Sequence, residues 1–246
     1  MKSIRTITAA ALLASVAVSC AKWTEPQPIE IRKPSLENSP ELYSRYCQAK
    51  RDYKKSEHKM MYVTFDNVES SYDQSCNLTS LPDSVDFVEI SNPGLTASIA
   101  DQMAKLRADK GFRFAVSVSM DAIDSDYESL VAGIDAEYAE RLAEAGGDAS
   151  LVPAPEYPEK SAFVAEAVKE AFARADEFGY EAVRVQYTGY SPFHLTSEQK
   201  EQYVSEQTEF FSLIGSELEA RPSLLYFLNV NPEFIVSADI LKAADH

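Results

Sequence analysis

Gly179-Tyr180-Glu181-Ala182-Val183-Arg184-Val185-Gln186-Tyr187-Thr188-Gly189-Tyr190-Ser191-Pro192 alternates strictly through its middle. Val183, Val185 and Tyr187 point one way and Arg184, Gln186 and Thr188 the other, which is the period of a β-strand. A helical stretch, Ser161–Phe178, leads into it, with Ser161 as the expected cap and Gly179 as the stop. A strand with one apolar and one polar face, fed by a helix, belongs to an α/β architecture. In a curled parallel sheet the apolar face meets the surrounding helices and the polar face looks inward. Thr188 then stands at the C-terminal mouth, where barrel active sites lie.

The same alternation of strand and helix extends in both directions. Upstream, Pro40–Ser56 predicts a short amphipathic helix, with Leu42, Tyr46, Ala49 and Tyr53 at helical spacing. Met60–Val68, Ser84–Ser91 and Phe112–Met120 predict strands. Between and after them, Thr96–Lys110 and Tyr127–Ala145 predict helices, stopped by Gly111 and by Gly146-Gly147. Downstream, a long helix over Ser197–Ala220 and a strand over Leu224–Val230 follow, and a further helical turn starts at Pro232. Strands separated by helices imply parallel β/α units, about five of them. An eight-unit barrel takes roughly 250 residues. On pattern alone two readings stay open: an open α/β domain, or an incomplete (β/α)8 TIM-barrel-like fold cut short before a sixth strand.

The N-terminus reads as a signal peptide over 1–19. Lys2 and Arg5 precede an apolar run, Ile7 to Val18, too short to span a bilayer. Ala17-Val18-Ser19-Cys20 has the pattern of a lipobox, which makes Cys20 the expected site of lipidation and the membrane contact lipid alone. An ordinary secretory signal with an incidental cysteine is the plainer alternative. Ala21 to about Pro40 is rich in proline and charge, the composition of a tether. The expected organisation is therefore 1–19 signal peptide, 20–56 tether with a short helix, and 57–246 folded domain.

The chain has 23 basic and 39 acidic side chains, a net charge of −16. Without Lys2 and Arg5 it would carry 21 basic groups and a charge of −18. Such a surface repels phosphate backbones, so nucleic-acid binding is disfavoured while a neutral glycan is compatible. Cys47 and Cys76 remain as thiols that either pair in an oxidising compartment or stay free. His58, His194 and His246 are scattered, so no metal site or cofactor is expected. Asp121, Asp124, Asp126 and Glu128 lack the central glycine and closing glutamate of a calcium loop. They read as a solvated helix start.

The helix–Gly-Tyr–strand–Tyr-x-Pro frame around 179–192 resembles the fourth strand of glycoside hydrolase family 18, the chitinase and endo-β-N-acetylglucosaminidase group. More narrowly, it looks like the lipoproteins found beside glycan-uptake genes in Bacteroidota-type bacteria. His58-Lys59 before the first strand and Leu81-Pro82-Asp83-Ser84-Val85-Asp86 at the second carry the resemblance further, over about Ser56 to Ala238. It favours the incomplete barrel. It also implies substrate-assisted hydrolysis, an exception to the two-carboxylate scheme. A terminal glutamate of the signature Asp-Gly-x-Asp-x-Asp-x-Glu protonates the leaving oxygen, and the aspartate two residues earlier holds the substrate's N-acetyl group. Here the acidic positions fall on Glu181, Arg184, Gln186 and Thr188, and the glycine on Ala182. A hydroxyl is too weak an acid for the first task, and Gln186 supplies a hydrogen bond but no charge. The family's further tyrosine, from a sixth strand, has no counterpart within these residues.

The resemblance therefore implies a non-catalytic glycan-binding surface lipoprotein of the outer membrane, derived from a family 18 fold. Its expected ligand contains N-acetylglucosamine, and its expected partner is a glycan-uptake complex. Sugars are held by aromatic faces and by amide and hydroxyl groups. Rim candidates are Phe65, Asn67, Asn92, Gln186, Thr188, Tyr190, Asn229 and Asn231, with Asp66, Ser91, Met120 and Asp121 beside them. For each residue alone, a core, turn or cap role competes with binding. Two other readings stay open: a hydrolase whose acid has moved to Asp66 or Glu89, and a non-functional remnant.

Overall fold

The computed structural model describes residues 39–67, 77–92 and 94–242. The expected signal peptide, Cys20, most of the tether, Cys76 and the strand end at Val68 lie outside the described residues. The elements are α1 (Pro40–Lys55), β1 (Tyr62–Phe65), β2 (Phe87–Ile90), α2 (Ala97–Lys110), β3 (Arg113–Ser119), α3 (Met120–Glu144), α4 (Lys160–Phe178), β4 (Ala182–Tyr187), α5 (Ser197–Glu219), β5 (Leu225–Val230) and α6 (Ala238–Lys242). All five strands lie in one parallel sheet, in the order β1-β2-β3-β4-β5. Strand order equal to chain order, with α2, α4 and α5 packed on one face of the sheet, is the construction of a β/α barrel wall.

The sheet is strongly curled. Laid flat, β1 and β5 would be about 19 Å apart, four interstrand spacings. Yet Tyr62 of β1 and Phe227 of β5 meet with ring centroids 5.4 Å apart, and Phe227 also meets Phe87 of β2 at 4.8 Å. These rings, with Ala115 and Ala182, form the concave core. The convex face carries the larger one. Val183, Val185 and Tyr187 pack with Val164, Val168 and Phe172 of α4 and with Phe210 and Ile214 of α5. Val88, Ile90 and Phe114 pack with Ile99, Met103 and Leu106 of α2. The alternation of 183–188 is thus the inside–outside alternation of the wall.

Helix boundaries differ from expectation in two places. Helix α3 starts at Met120, not Tyr127, because the Ser119 hydroxyl accepts from the Ala122 amide (3.3 Å) and caps the helix directly at the strand end. Helix α4 starts at Lys160, so Ser161 lies inside it and is not its cap. Lys160 is held to Asp124 at 2.7 Å, and the Tyr127 hydroxyl donates to the Pro158 carbonyl at 2.9 Å, which fixes the chain before that first turn. Gly179 ends α4 with φ 61°, as the stop signal predicts.

The buried face of α1 is not the one its apolar spacing suggests. Leu42, Tyr46 and Tyr53 are exposed, while Cys47 and Lys54 are buried. The reason is what the domain offers: uncapped carbonyls. Arg51 donates to Ala108 and Asp109 at the end of α2 (2.9 and 2.8 Å), and Lys54 donates to the Val85 carbonyl with its ammonium 3.4 Å from the Phe112 ring centroid. Burial pushes the Lys54 ammonium down to about 8 from 10.5, against the pull of Asp86 and Asp83. Above about pH 8 the folded chain releases this proton while the unfolded chain keeps it. The contribution of Lys54 to stability therefore rises from about pH 8 to 10.5. Urea titrations of the parent and of Lys54→Met across that range should differ by this rise; parallel profiles would contradict the assignment.

The 81–86 segment is a clip between strand starts. Buried Asp86 accepts from the Met61 amide (2.8 Å) and faces His58 Nε2 at 2.9 Å, and Asp83 binds Lys110 at 2.6 Å. The Asp86 carboxylate, helped by the Ser56 carbonyl, holds His58 above the usual histidine range. Both motif aspartates thus join elements at the N-terminal end of the sheet, away from the mouth.

Candidate functional site

The concave face at the C-terminal end of the strands is built in two levels. The lower level is a buried ion pair spanning three strands. Glu89 of β2 is 3% exposed; Arg184 of β4 donates from Nη2 to Glu89 Oε1 at 2.9 Å, with Nε 2.6 Å from Oε2. The Tyr62 hydroxyl of β1 donates to Glu89 Oε2 at 2.6 Å, and Ser117 Oγ lies 3.5 Å from Arg184 Nη2. Burial, and then the hydrogen bond to Glu89, push the Tyr62 phenol upward. The cation at position 184 thus has its own carboxylate. Alternation alone places Arg184 facing inward, but its partner comes from a strand 95 residues away, where Phe87–Ile90 looks wholly apolar apart from Glu89.

Above this floor, Gln186 stands in register between Ser119 of β3 and Asn229 of β5. Strand alternation puts Thr64 on the same face of β1. Gln186 and Ser119 are partly exposed, and Thr64 and Asn229 exposed. The level is uncharged and made of amides and hydroxyls. At its edge, the Thr188 hydroxyl donates to Asp121 Oδ2 at 2.6 Å, and the Thr188 amide reaches the same oxygen at 3.3 Å. Asp121 sits in the first turn of α3, where a carboxylate also complements the helix dipole. This pairing was missed in the sequence because the acidic run at 121–128 reads as a helix start alone. Among the described residues no group of histidine, cysteine and carboxylate side chains could hold a metal ion.

The remaining candidates divide sharply. Phe65 is 5% exposed and packs with Ile90 and Leu78 on the convex side, so its ring does not reach the rim. Asn67 is also buried: its amide donates to the Asn92 and Gly94 carbonyls (3.0 and 3.3 Å) and its oxygen accepts from the Asn92 amide (2.7 Å). The Asn92 side chain accepts from the Gly94 amide (3.0 Å). The Asn67 side chain ties the loops after β1 and β2 together, and the Asn92 oxygen braces its own turn. Asn231 caps the 3-10 turn Pro232–Phe234, accepting from the Glu233 amide at 3.1 Å. Glu181 lies at the opposite end of β4, clamped to Arg107 (2.9 Å) and accepting from the Phe114 amide (2.8 Å). Gln186, Thr188, Tyr190 and Asn229 remain at the mouth with exposed or partly exposed side chains.

Residues 24–242 match the family described as glycoside hydrolase family 18, BT1044-like. The chain belongs to glycoside hydrolase family 18. No curated protein matches it. Among solved structures, a selenomethionine form of a Glu→Gln variant of BT1044, a Bacteroides protein, is similar at 14% identity and a TM-score of 0.49. The match covers 85% of this chain and 61% of that one, so the chain spans less than two thirds of that relative's length. Set on the family's strand, the positions expected for the assisting carboxylate and the acid are Gln186, flanked by Ser119 and Asn229, and Thr188, bonded to Asp121.

Proposed function

We propose that this family 18 member is a glycan-binding protein without hydrolytic activity, carried on the bacterial surface as a lipoprotein through Cys20. Its ligand is a neutral glycan containing N-acetylglucosamine, held for uptake by a neighbouring complex. The observation that carries the reading is the Thr188–Asp121 hydrogen bond at 2.6 Å, at the place where the family's mechanism needs a carboxylic acid. The uncharged level around Gln186 supports a ligand recognised by amide and hydroxyl contacts. The charge of −16 disfavours sialylated or sulfated glycans.

A hydrolase with a relocated acid is the second reading, and the geometry narrows it. Glu89 is committed to Arg184 and Tyr62. Asp121 is the carboxylate that stands beside Thr188, and it joins exposed Asp66 as a residue to test in place of Glu89. Loss of measurable turnover in Asp121→Asn would support this reading.

A thermal-shift titration against chitin oligosaccharides and released N-glycans tests the proposal. A melting temperature that rises with one glycan class, with no product formed, is expected, since a ligand that binds only the native state stabilises it by mass action. A cooperative melt indifferent to every sugar would overturn it.

A further inference from the structure

His58 meets an oxygen acceptor at each ring nitrogen. Nδ1 lies 2.7 Å from the Ser56 carbonyl, and Nε2 lies 2.9 Å from Asp86 Oδ1. A neutral imidazole carries one N–H and one bare nitrogen, whereas the imidazolium donates from both. In either neutral tautomer one of the two contacts sets a nitrogen lone pair against an oxygen lone pair. Both contacts are hydrogen bonds only around the protonated ring. Neither acceptor is placed to turn away. The Ser56 carbonyl follows the turn that ends α1, where the Ser56 amide donates to the Tyr53 carbonyl at 3.0 Å. Asp86 is fully buried, and its second oxygen holds the Met61 amide at 2.8 Å. The Tyr53 ring lies against the imidazole, centroids 4.4 Å apart, and the His58 side chain is 9% exposed.

The charges around the ring oppose one another. Asp86 favours the proton, and Arg113 at the start of β3 disfavours it. From α1, Lys54 shares the field of Asp86, with Asp83 and its partner Lys110 beyond it. Glu57 and Lys59, the chain neighbours of His58, are exposed. The balance leaves the ring above the usual histidine range, first through the Asp86 hydrogen bond and then through the Ser56 carbonyl.

We propose that His58 is a proton-dependent latch, closing the turn between α1 and β1 when charged and freeing it when neutral. The inference is independent of the glycan-binding reading. Loss of the ring proton turns one of two donated bonds into a repulsive contact, and that is the whole of the switch. The unfolded ring titrates near 6.5 and the folded ring higher. The latch is therefore fully closed below pH 6.5 and is lost as pH rises through the folded midpoint. Arg51 still holds α1 to the end of α2 when the ring is neutral, so the opening is confined to the 56–59 turn.

Two measurements on the purified chain test the latch. The first is the titration midpoint of the His58 ring by NMR, its signals identified by their absence in His58→Gln. The second is the rate of trypsin cleavage after Lys55 and Lys59 from about pH 5.5 to 7.5, the range in which histidine changes charge. Each rate is divided by that of an unstructured peptide of the same sequence at the same pH. The range stops short of about 8, where Lys54 titrates. The midpoint should lie above 6.5, and parent cleavage should accelerate by up to about tenfold per pH unit between 6.5 and that midpoint. His58→Gln has no proton to lose and should be cleaved at one rate throughout. A midpoint at or below 6.5, a parent rate that does not change with pH, or a His58→Gln rate that rises as the parent's does would each overturn the latch. The midpoint is read on the parent, so it decides even where the variant fails to fold.

Discussion

Arg184→Met is expected to destabilise the chain by about 3–5 kcal/mol, the cost of leaving one member of a buried ion pair without its partner. Glu89 is almost wholly buried, and without the guanidinium its remaining partner among the described residues is the Tyr62 hydroxyl. At roughly 2–4 °C per kcal/mol for a domain of this size, the melting temperature should fall by about 10 °C. The double variant Glu89→Gln with Arg184→Met removes both charges and should recover most of the loss, since a buried pair replaced by neutral groups is often near neutral in stability. A single variant as stable as the parent would show that the pair does not hold β2 against β4. A double variant no better than the single one would show that packing, not uncompensated charge, is at stake.

Gly189→Ala is expected to cost about 2–5 kcal/mol. Two effects add. The left-handed backbone at φ 60° disfavours any Cβ by about 1–2 kcal/mol. The added carbon would also lie 2.6 Å from the Tyr203 hydroxyl and 2.8 Å from Tyr187 Cε1, inside a close-packed core where overpacking costs about 1–3 kcal/mol. Tyr203 has little freedom to retreat, since its hydroxyl donates to the Phe234 carbonyl at 2.8 Å. Thermal unfolding of the variant reads the loss directly. An unchanged melting temperature would mean that Gly189 is not packed against Tyr203 and Tyr187 as described.

The wall of the fold was legible because it depends on local pattern. Strict alternation in 183–188 and glycine stops at 111 and 179 place strands and helix ends within a few residues. The curl is non-local and invisible in the sequence: it depends on Phe227 reaching Phe87 across three crossovers and Tyr62 across four. The same holds for the site. Inward-facing Arg184, Gln186 and Thr188 follow from one strand's period, but the partners Glu89 and Asp121 come from other strands and from a helix start. Phe65 misled because a residue at a strand's C-terminal end points to the mouth or to the helices according to its parity, and Phe65 has the parity of Val63 on the convex side. Asn67 and Asn92 read as sugar ligands by residue type, yet backbone groups of the next loop take up the Asn67 amide, and the Asn92 oxygen accepts from Gly94 in its own turn. The α1 face was misassigned for the opposite reason: Lys54 and Arg51 look solvated, and the carbonyls they satisfy are set by tertiary structure.

The most direct test of the account is binding and turnover measured on one sample: the purified chain mixed with N-acetylglucosamine-containing glycans, bound ligand quantified by calorimetry and the recovered glycan examined by mass spectrometry. The account predicts saturable binding and a glycan recovered intact. Shortened product, absent in Asp121→Asn, would contradict it and make the chain a hydrolase with a relocated acid.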